Sequence, residues 1–269
     1  MENHRHKIGH KHGEGASIDF YAYNSRIRDW NPTFKVSFSL LTLVLCIVLN
    51  NPWVSVTVIL AMAWLTVVKG GLPLSSYLSV LSIPVAFILV GAVAIGLNFS
   101  TRPLGQFRLD LGICYIYTSW EELRKMFFLI LKVFAAISAM ELMALSTPAA
   151  EIISVIRKAH VPKLFIELMN ITYRYIFILF DVNINMRNSA DSRLGFYDVK
   201  TSWITFGKVA SNMLIVSLKK ADTYYNAMVA RCYDGEFMVL EVTEAVKASQ
   251  VVKAAVFILI LLVIWGFTR

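Results

Sequence analysis

Four of the five histidines stand at His4, His6, His10 and His12, two His-X-His pairs in a polar, glycine-containing amino-terminal tail. Imidazole nitrogen suits cobalt, nickel and zinc, so these four are the candidate metal ligands of the chain. The tail reads as disordered, and the topology derived below puts it on the cytoplasmic side, where capture of an external ion is not its obvious task. His160 is alone. Lys132 and Glu141 lie nine residues apart in apolar sequence, about two and a half helical turns, and so on opposite faces of one helix. They are intramembrane polar residues tied to different neighbours rather than to each other, with a place on a transport path as the rival role.

Two short segments carry a different chemistry: Ser192-Arg193-Leu194 followed by Gly195, and Ala230-Arg231-Cys232. A guanidinium is always charged and presents a planar fork of donors that grips a carboxylate at two points, which transmits force with a defined orientation. The plainer reading is a pair of cytoplasmic-side arginines at helix ends, where a cation also suits the helix dipole. Catalytic groups are not expected. No G-x-x-x-x-G-K-[ST] loop occurs, so any ATP hydrolysis belongs to another polypeptide, and no Ser/His/Asp or metal-ligand constellation lies in the apolar stretches. Cys46, Cys114 and Cys232 fall in a span, a loop and a cytoplasmic helix, and are expected to be free thiols.

The elements that must position these residues follow from hydropathy. The 269 residues are 57% hydrophobic and 16% charged, with mean hydropathy +0.60, outside the range of a soluble domain. Positions 36–68 and 70–101 hold no charged residue. A bilayer core of about 30 Å needs roughly 20 apolar residues of helix, so the first stretch makes two spans, near 34–50 and 53–69, with Asn50, Asn51 and Pro52 as the turn between them. A third span runs near 75–98 and is expected to kink at Pro84. A fourth runs near 124–146, and a fifth near 251–267. With a polar 33-residue stretch ahead of the first apolar run, no cleavable secretory signal is expected before the first span.

Between positions 156 and 234 stand eleven Lys or Arg against six Asp or Glu, and basic excess marks the cytoplasmic face. The region 147–250 and the amino terminus are therefore expected inside, in agreement with the flanking cations Arg26, Arg28 and Lys35 at the start of the first span, and the carboxyl terminus outside. The net charge of +8 is explained by this topology and by anionic lipid, with no nucleic acid needed. The external stretch 102–120 alternates at Phe107, Leu109, Leu111, Ile113 and Tyr115, as a short hairpin or strand pair would. Inside, Thr147 and Pro148 open a helix that stops near His160. The next begins near Lys163 and runs about thirty residues, with Tyr175, Ile178, Leu179, Val182 and Met186 on one face. A further helix spans about 205–233 with a stripe at Leu214, Leu218, Ala221, Tyr225 and Met228. The two are expected to bury their stripes against each other, with an arginine at each carboxyl-terminal end.

The residues Ile18-Asp19-Phe20-Tyr21-Ala22-Tyr23-Asn24-Ser25, Trp30-Asn31-Pro32 with Lys35, Ser146-Thr147-Pro148, Tyr173-Arg174-Tyr175-Ile176 and the two arginine segments together resemble the transmembrane T component of energy-coupling factor transporters, cobalt-type CbiQ. The resemblance covers nearly the whole chain. It implies an all-α integral membrane protein of about five transmembrane helices plus long amphipathic cytoplasmic coupling helices, in a prokaryotic cell membrane. The implied order is a cytoplasmic segment 1–33, a four-span bundle 34–146, a coupling-helix region 147–250 and a last span 251–269. It further implies a non-catalytic subunit without cofactor, working with two cytoplasmic ABC ATPase subunits that bind ATP and with a substrate-binding, CbiM-like membrane subunit. The ATPase-coupling residues carried over are Ser192, Arg193, Leu194 and Gly195, and Ala230, Arg231 and Cys232. The commonest family form is Ala-Arg-Gly, from which both segments depart outside the arginine. Cobalt is the cargo implied, with nickel or a vitamin as the alternative, and a stand-alone membrane enzyme or channel as the reading of another class.

Overall fold

The computed structural model describes residues 14–96, 98–100, 107–110, 115–118, 120–233 and 245–268. His4, His6, His10, His12, Cys114, Leu111 and Ile113 lie outside the described residues. The chain divides into two units, residues 1–152 with 243–269, and residues 153–242.

In the first unit, α1 (Glu14–Asn24) precedes α2 (Pro32–Leu49) and α3 (Pro52–Trp64), which continues through a π-helical turn (Leu65–Lys69). The α2–α3 turn follows from its three residues. Asn50 takes a left-handed conformation, φ 43°, that asparagine tolerates. Asn51 is extended and accepts from the Trp53 amide at 3.0 Å, capping α3, while Pro52 fills the first helical position, where no amide is needed. Asn31 and Pro32 start α2 in the same way, Asn31 accepting from Thr33 and Phe34. The third span is two helices, α4 (Leu74–Ser82) and α5 (Val85–Gly96), bent by 43° across the break at Pro84. With α6 (Trp120–Ser146) and α10 (Ala248–Thr268), the described residues hold four helices long and apolar enough to cross a membrane, or five if the bent pair is one span.

Between α5 and α6 three strands, β1 (Asn98–Ser100), β2 (Phe107–Asp110) and β3 (Tyr115–Thr118), form an antiparallel sheet in the order β1-β3-β2. The expected strand pair is β2 with β3, and β1 adds a third strand that Asn98-Phe99-Ser100 do not announce.

α6 is the hub of this unit, packing on α1, α2, α3, α4 and α5. Lipid removes most of the hydrophobic drive between helices, so close packing through small side chains must hold them. Ala135, Ser138 and Ala139 on α6 are fully buried, opposite Cys46 on α2 and Val54, Val58 and Met62 on α3. α10 adds Leu261, packs Phe257 against Phe38 with centroids 5.9 Å apart and the rings tilted by 60°, and is pinned at its end by Asn51 Nδ2 donating to Thr268 Oγ1 at 2.7 Å.

The second unit contains most of α7 (Ala149–Lys158), then α8 (Lys163–Asp191) and α9 (Val199–Val229). Neither α8 nor α9 is apolar enough over 18 residues to qualify as a span. α9 begins earlier than the sequence reading puts it because Asp198 caps it, accepting from the Thr201 amide at 3.4 Å. The Thr201 side-chain hydroxyl, with the Thr201 amide beside it, holds the Asp198 carboxyl below its ordinary value. The first turn of α9 is therefore expected to keep its protection above the usual Asp range and lose it as pH falls through the lowered value. Hydrogen exchange at Thr201, corrected for intrinsic rate, reads this.

Candidate functional site

The carboxyl-terminal ends of α8 and α9 are built alike. Ser192 ends α8 at φ −59°, ψ −18°, and Ala230 ends α9 at φ −62°, ψ −18°. Their amides donate to Asn188 O and Asn226 O, both at 3.0 Å. Arg193 and Arg231 follow, donating to Ala190 O at 3.1 Å and Met228 O at 2.9 Å. Next come Leu194 and Cys232, both at φ 58°, donating to Asp191 O and Val229 O. The amides of Gly195 and Tyr233 then return to the Ala190 and Met228 carbonyls at 2.9 and 3.1 Å. Each end is a helix stop closed by a left-handed residue, which turns the chain away and leaves the preceding arginine projecting. Both arginines are exposed. Among the described residues neither has an ion-pair or side-chain hydrogen-bond partner.

A left-handed conformation costs a residue with a Cβ about 1–2 kcal/mol. Leu194 is 71% exposed and Cys232 is exposed, so neither recovers that cost by burial. Leu194→Gly and Cys232→Gly are each expected to stabilise their helix end by about 0.5–1 kcal/mol, after allowance for the freer unfolded glycine. Slower amide exchange at positions 194–195 and 232–233 is the measurable result. Gly195 is constrained differently: a Cβ there would lie 2.8 Å from Ala190 O and 3.0 Å from Thr205 Cγ2. Gly195→Ala is expected to push the connection off α9, destabilising by about 1–3 kcal/mol and displacing Arg193, as thermal unfolding would register.

α8 and α9 run antiparallel. Tyr175 and Tyr224 meet edge to face at 5.2 Å, and Tyr233 Oη donates to Glu167 Oε2 at 3.3 Å. Arg193 is at the connection and Arg231 at the far end, so the 31 residues of α9, about 46 Å of helix, separate them. The expectation that the two apolar stripes bury each other is not met. Leu214, Leu218 and Tyr225 are 63%, 64% and 58% exposed. Tyr175, Ile178, Leu179, Val182 and Met186 of the α8 stripe are half-buried, whereas the α9 stripe is left largely uncovered in the isolated chain.

The polar groups of the first unit are tied to its helices. Lys132 Nζ donates to Asn50 Oδ1 at 2.7 Å, fixing α6 to the α2–α3 turn. Glu141 is buried on another face of α6, with Oε2 lacking a hydrogen-bond partner. Lys35, which the charge count treats as a flanking cation, is buried: Nζ donates to Ser146 O at 2.9 Å, Arg28 O at 3.2 Å and Glu151 Oε2 at 3.4 Å. It thereby closes the carboxyl end of α6 and holds the first turn of α7. Asp19 Oδ1 accepts from the Ala149 amide at 3.4 Å, so α1 caps the same turn. No group of three or more His, Cys, Asp or Glu able to hold a metal occurs among the described residues.

The sequence matches the family described as cobalt transport protein, CbiQ, over residues 23–242. The chain belongs to the CbiQ family. Its curated relatives include an uncharacterized protein of Methanocaldococcus jannaschii, 25% identical over 94% of this chain and 93% of its own length. A cobalt transport protein CbiQ of Rhodobacter capsulatus is 26% identical over 86% of this chain and 89% of its own. A putative fused cobalt transport protein CbiMQ of Methanocorpusculum labreanum is 26% identical over 81% of this chain and 36% of its own. As a CbiQ-family member the chain is a multi-pass membrane transport component, non-catalytic and without a cofactor of its own.

Within the CbiQ match, Leu194 and Cys232 occupy the left-handed position that the glycine of an Ala-Arg-Gly segment would fill without strain. Sequence reasoning singled out neither Asp19 nor Glu151 as a positioning group, and gave Lys35 only a flanking role. One available signal was that Asp19, Lys35 and Ser146 all stand in the segments that carry the resemblance. The repeated Asn-x-x-x-x-Arg at 188–193 and 226–231 was a second signal.

Proposed function

We propose that this chain is the coupling T component of an energy-coupling factor importer for cobalt ions. Two cytoplasmic ATPase subunits each take one arginine-bearing helix end, Arg193 or Arg231, and the chain passes their closure to a CbiM-like substrate-capturing membrane subunit. The observation that carries the reading is the pair of like helix ends, each with an exposed arginine that no described residue engages, at opposite ends of one antiparallel helix pair. One arginine for each of two ATPases needs that separation and that likeness. The surrounding residues Ser192, Leu194, Gly195, Ala230 and Cys232 shape the two ends rather than grip the partner. The uncovered α9 stripe supports a further subunit or lipid against it. The fused CbiMQ relative supports a CbiM-type neighbour, and the relatives named for cobalt support the cargo. In this arrangement 147–250 and the amino terminus face the cytoplasm and the carboxyl terminus faces outward.

The test is reconstitution with the two ATPases and the membrane subunit in proteoliposomes, measuring ATP-driven uptake of labelled cobalt against nickel as competitor. Cobalt uptake that needs ATP and this chain is expected. Uptake without the ATPases would turn the reading toward a stand-alone channel, and preferential nickel uptake would change the cargo.

A further inference from the structure

Two contacts fix how deep the α2–α3 turn sits. Lys35 of α2 meets the Ser146 carbonyl at 2.9 Å, and Lys132 of α6 meets Asn50 Oδ1 at 2.7 Å, so α2 and α6 run antiparallel and in step between these levels. α10 ends at the same outer level, with Thr268 on Asn51. From Ser146 to Lys132 is about 21 Å of helix, whereas the hydrocarbon core is about 30 Å thick. α6 continues past the turn without a charge through residues 126–131, and Lys125 lies about 32 Å from Ser146, which matches the core. The bent pair α4–α5 keeps pace: Tyr77 meets Ser138 at 3.3 Å, and Val90 stands 13 residues further on. The uncharged runs of the other three helices are shorter, 14 residues at 36–49, 16 at 53–68 and 15 at 254–268, or about 21–24 Å. The inner boundary cannot move down to make up the difference, because Lys35 and Glu151 meet at the Ser146 level and Lys69 and Lys253 bound the runs of α3 and α10.

The α2–α3 turn thus lies about 10 Å beneath the outer edge of the core that α6 defines. It is nevertheless polar and open: Asn50 is exposed, and Lys132 is only half-buried. A lipid-exposed ammonium at that depth is costly. Trp53, 63% exposed in the first turn of α3, is the residue type that settles at a membrane–water interface. Trp120, 66% exposed at the start of α6, stands about 18 Å higher than Lys132 on the other side. We propose that the outer face of this chain carries a water-filled recess, floored by Asn50, Asn51, Thr268 and Lys132 and walled by α5 and the first half of α6. Lys132 makes its floor positive, so the recess draws small hydrated anions such as chloride and repels divalent cations. It is therefore not the entry path of a metal ion, which removes Lys132 from a transport path. The proposal shares the topology of the coupling reading and nothing else.

The test is thiol accessibility at Trp53→Cys in the full chain, with Cys46, Cys114 and Cys232 replaced by alanine, in right-side-out and inverted membrane vesicles. The probes are one anionic and one cationic membrane-impermeant methanethiosulfonate, each rate divided by that on a free thiol. Trp53→Cys is expected to react in right-side-out vesicles, about threefold or more faster with the anionic probe. Lys132→Met is expected to abolish that preference and Lys132→Arg to keep it. Val90→Cys, at a site 71% exposed and nearer the outer end of the bundle, is expected not to react, because it faces hydrocarbon. No reaction at either site would overturn the recess by placing the turn in hydrocarbon. Reaction at both would overturn it by placing α5 and the start of α6 in water above an ordinary membrane surface. Reaction of Trp53→Cys in inverted vesicles alone would overturn the outward opening. Equal normalised rates for the two probes, unmoved by Lys132→Met, would overturn the anion preference.

Discussion

Replacing Arg193 and Arg231 together by alanine is expected to abolish ATP-driven cobalt uptake and to release the ATPase subunits from the detergent-solubilised complex. Each guanidinium projects past a helix stop with its backbone already fixed, so little ordering cost opposes its insertion into an acidic groove. Truncating one partner of a buried, hydrogen-bonded charge pair costs about 2–5 kcal/mol, a loss of roughly 30-fold or more in affinity per site. Lysine keeps the charge but not the planar fork, so Arg193→Lys with Arg231→Lys should restore only part of the binding. Both side chains are exposed, so thermal stability of the chain alone should not change. Quantitative co-purification beside uptake separates docking from transport.

The second large effect is expected at Lys35→Met. The side chain is 3% exposed and its ammonium serves the last carbonyl of α6, the Arg28 carbonyl and the Glu151 carboxylate. Methionine keeps the apolar stem and removes all three bonds. Breaking a buried ion pair costs about 3–5 kcal/mol. Since Glu151 is 27% exposed and water can reach it, the expected loss is about 3 kcal/mol, a fall in melting temperature of roughly 6–12 °C. Glu151→Gln keeps an acceptor for Lys35 and should cost about 1 kcal/mol. Thermal unfolding in one detergent measures both. Equal melting of Lys35→Met and the unaltered chain would mean that Lys35 is only a topology marker.

What the sequence makes legible is local. The Asn50-Asn51-Pro52 turn and the break at Pro84 follow from the backbone preferences of those residues alone, and both occur where those preferences put them. Lys35 was not legible as a buried tie because two of its three acceptors lie 111 and 116 residues away, and no short window contains them. The α9 stripe shows another limit: a spacing of three and four says which face of a helix is apolar, not what covers it. Leu214 and Leu218 therefore remained exposed although the stripe itself was correctly read. At the candidate site the arginines and their spacing from Asn188 and Asn226 stood in the sequence. The left-handed residues after them did not, because leucine and cysteine have no preference for that conformation and adopt it here as part of a helix stop.

The central claim is that two equivalent helix ends dock two ATPase subunits, one each. Native mass spectrometry of the complex with unaltered chain, Arg193→Ala and Arg231→Ala tests it most directly, by counting ATPase subunits per chain under matched conditions. The account predicts two on the unaltered chain and one on either single variant. Two retained on both single variants and on the double variant would contradict it, and would place the coupling surface elsewhere on the chain.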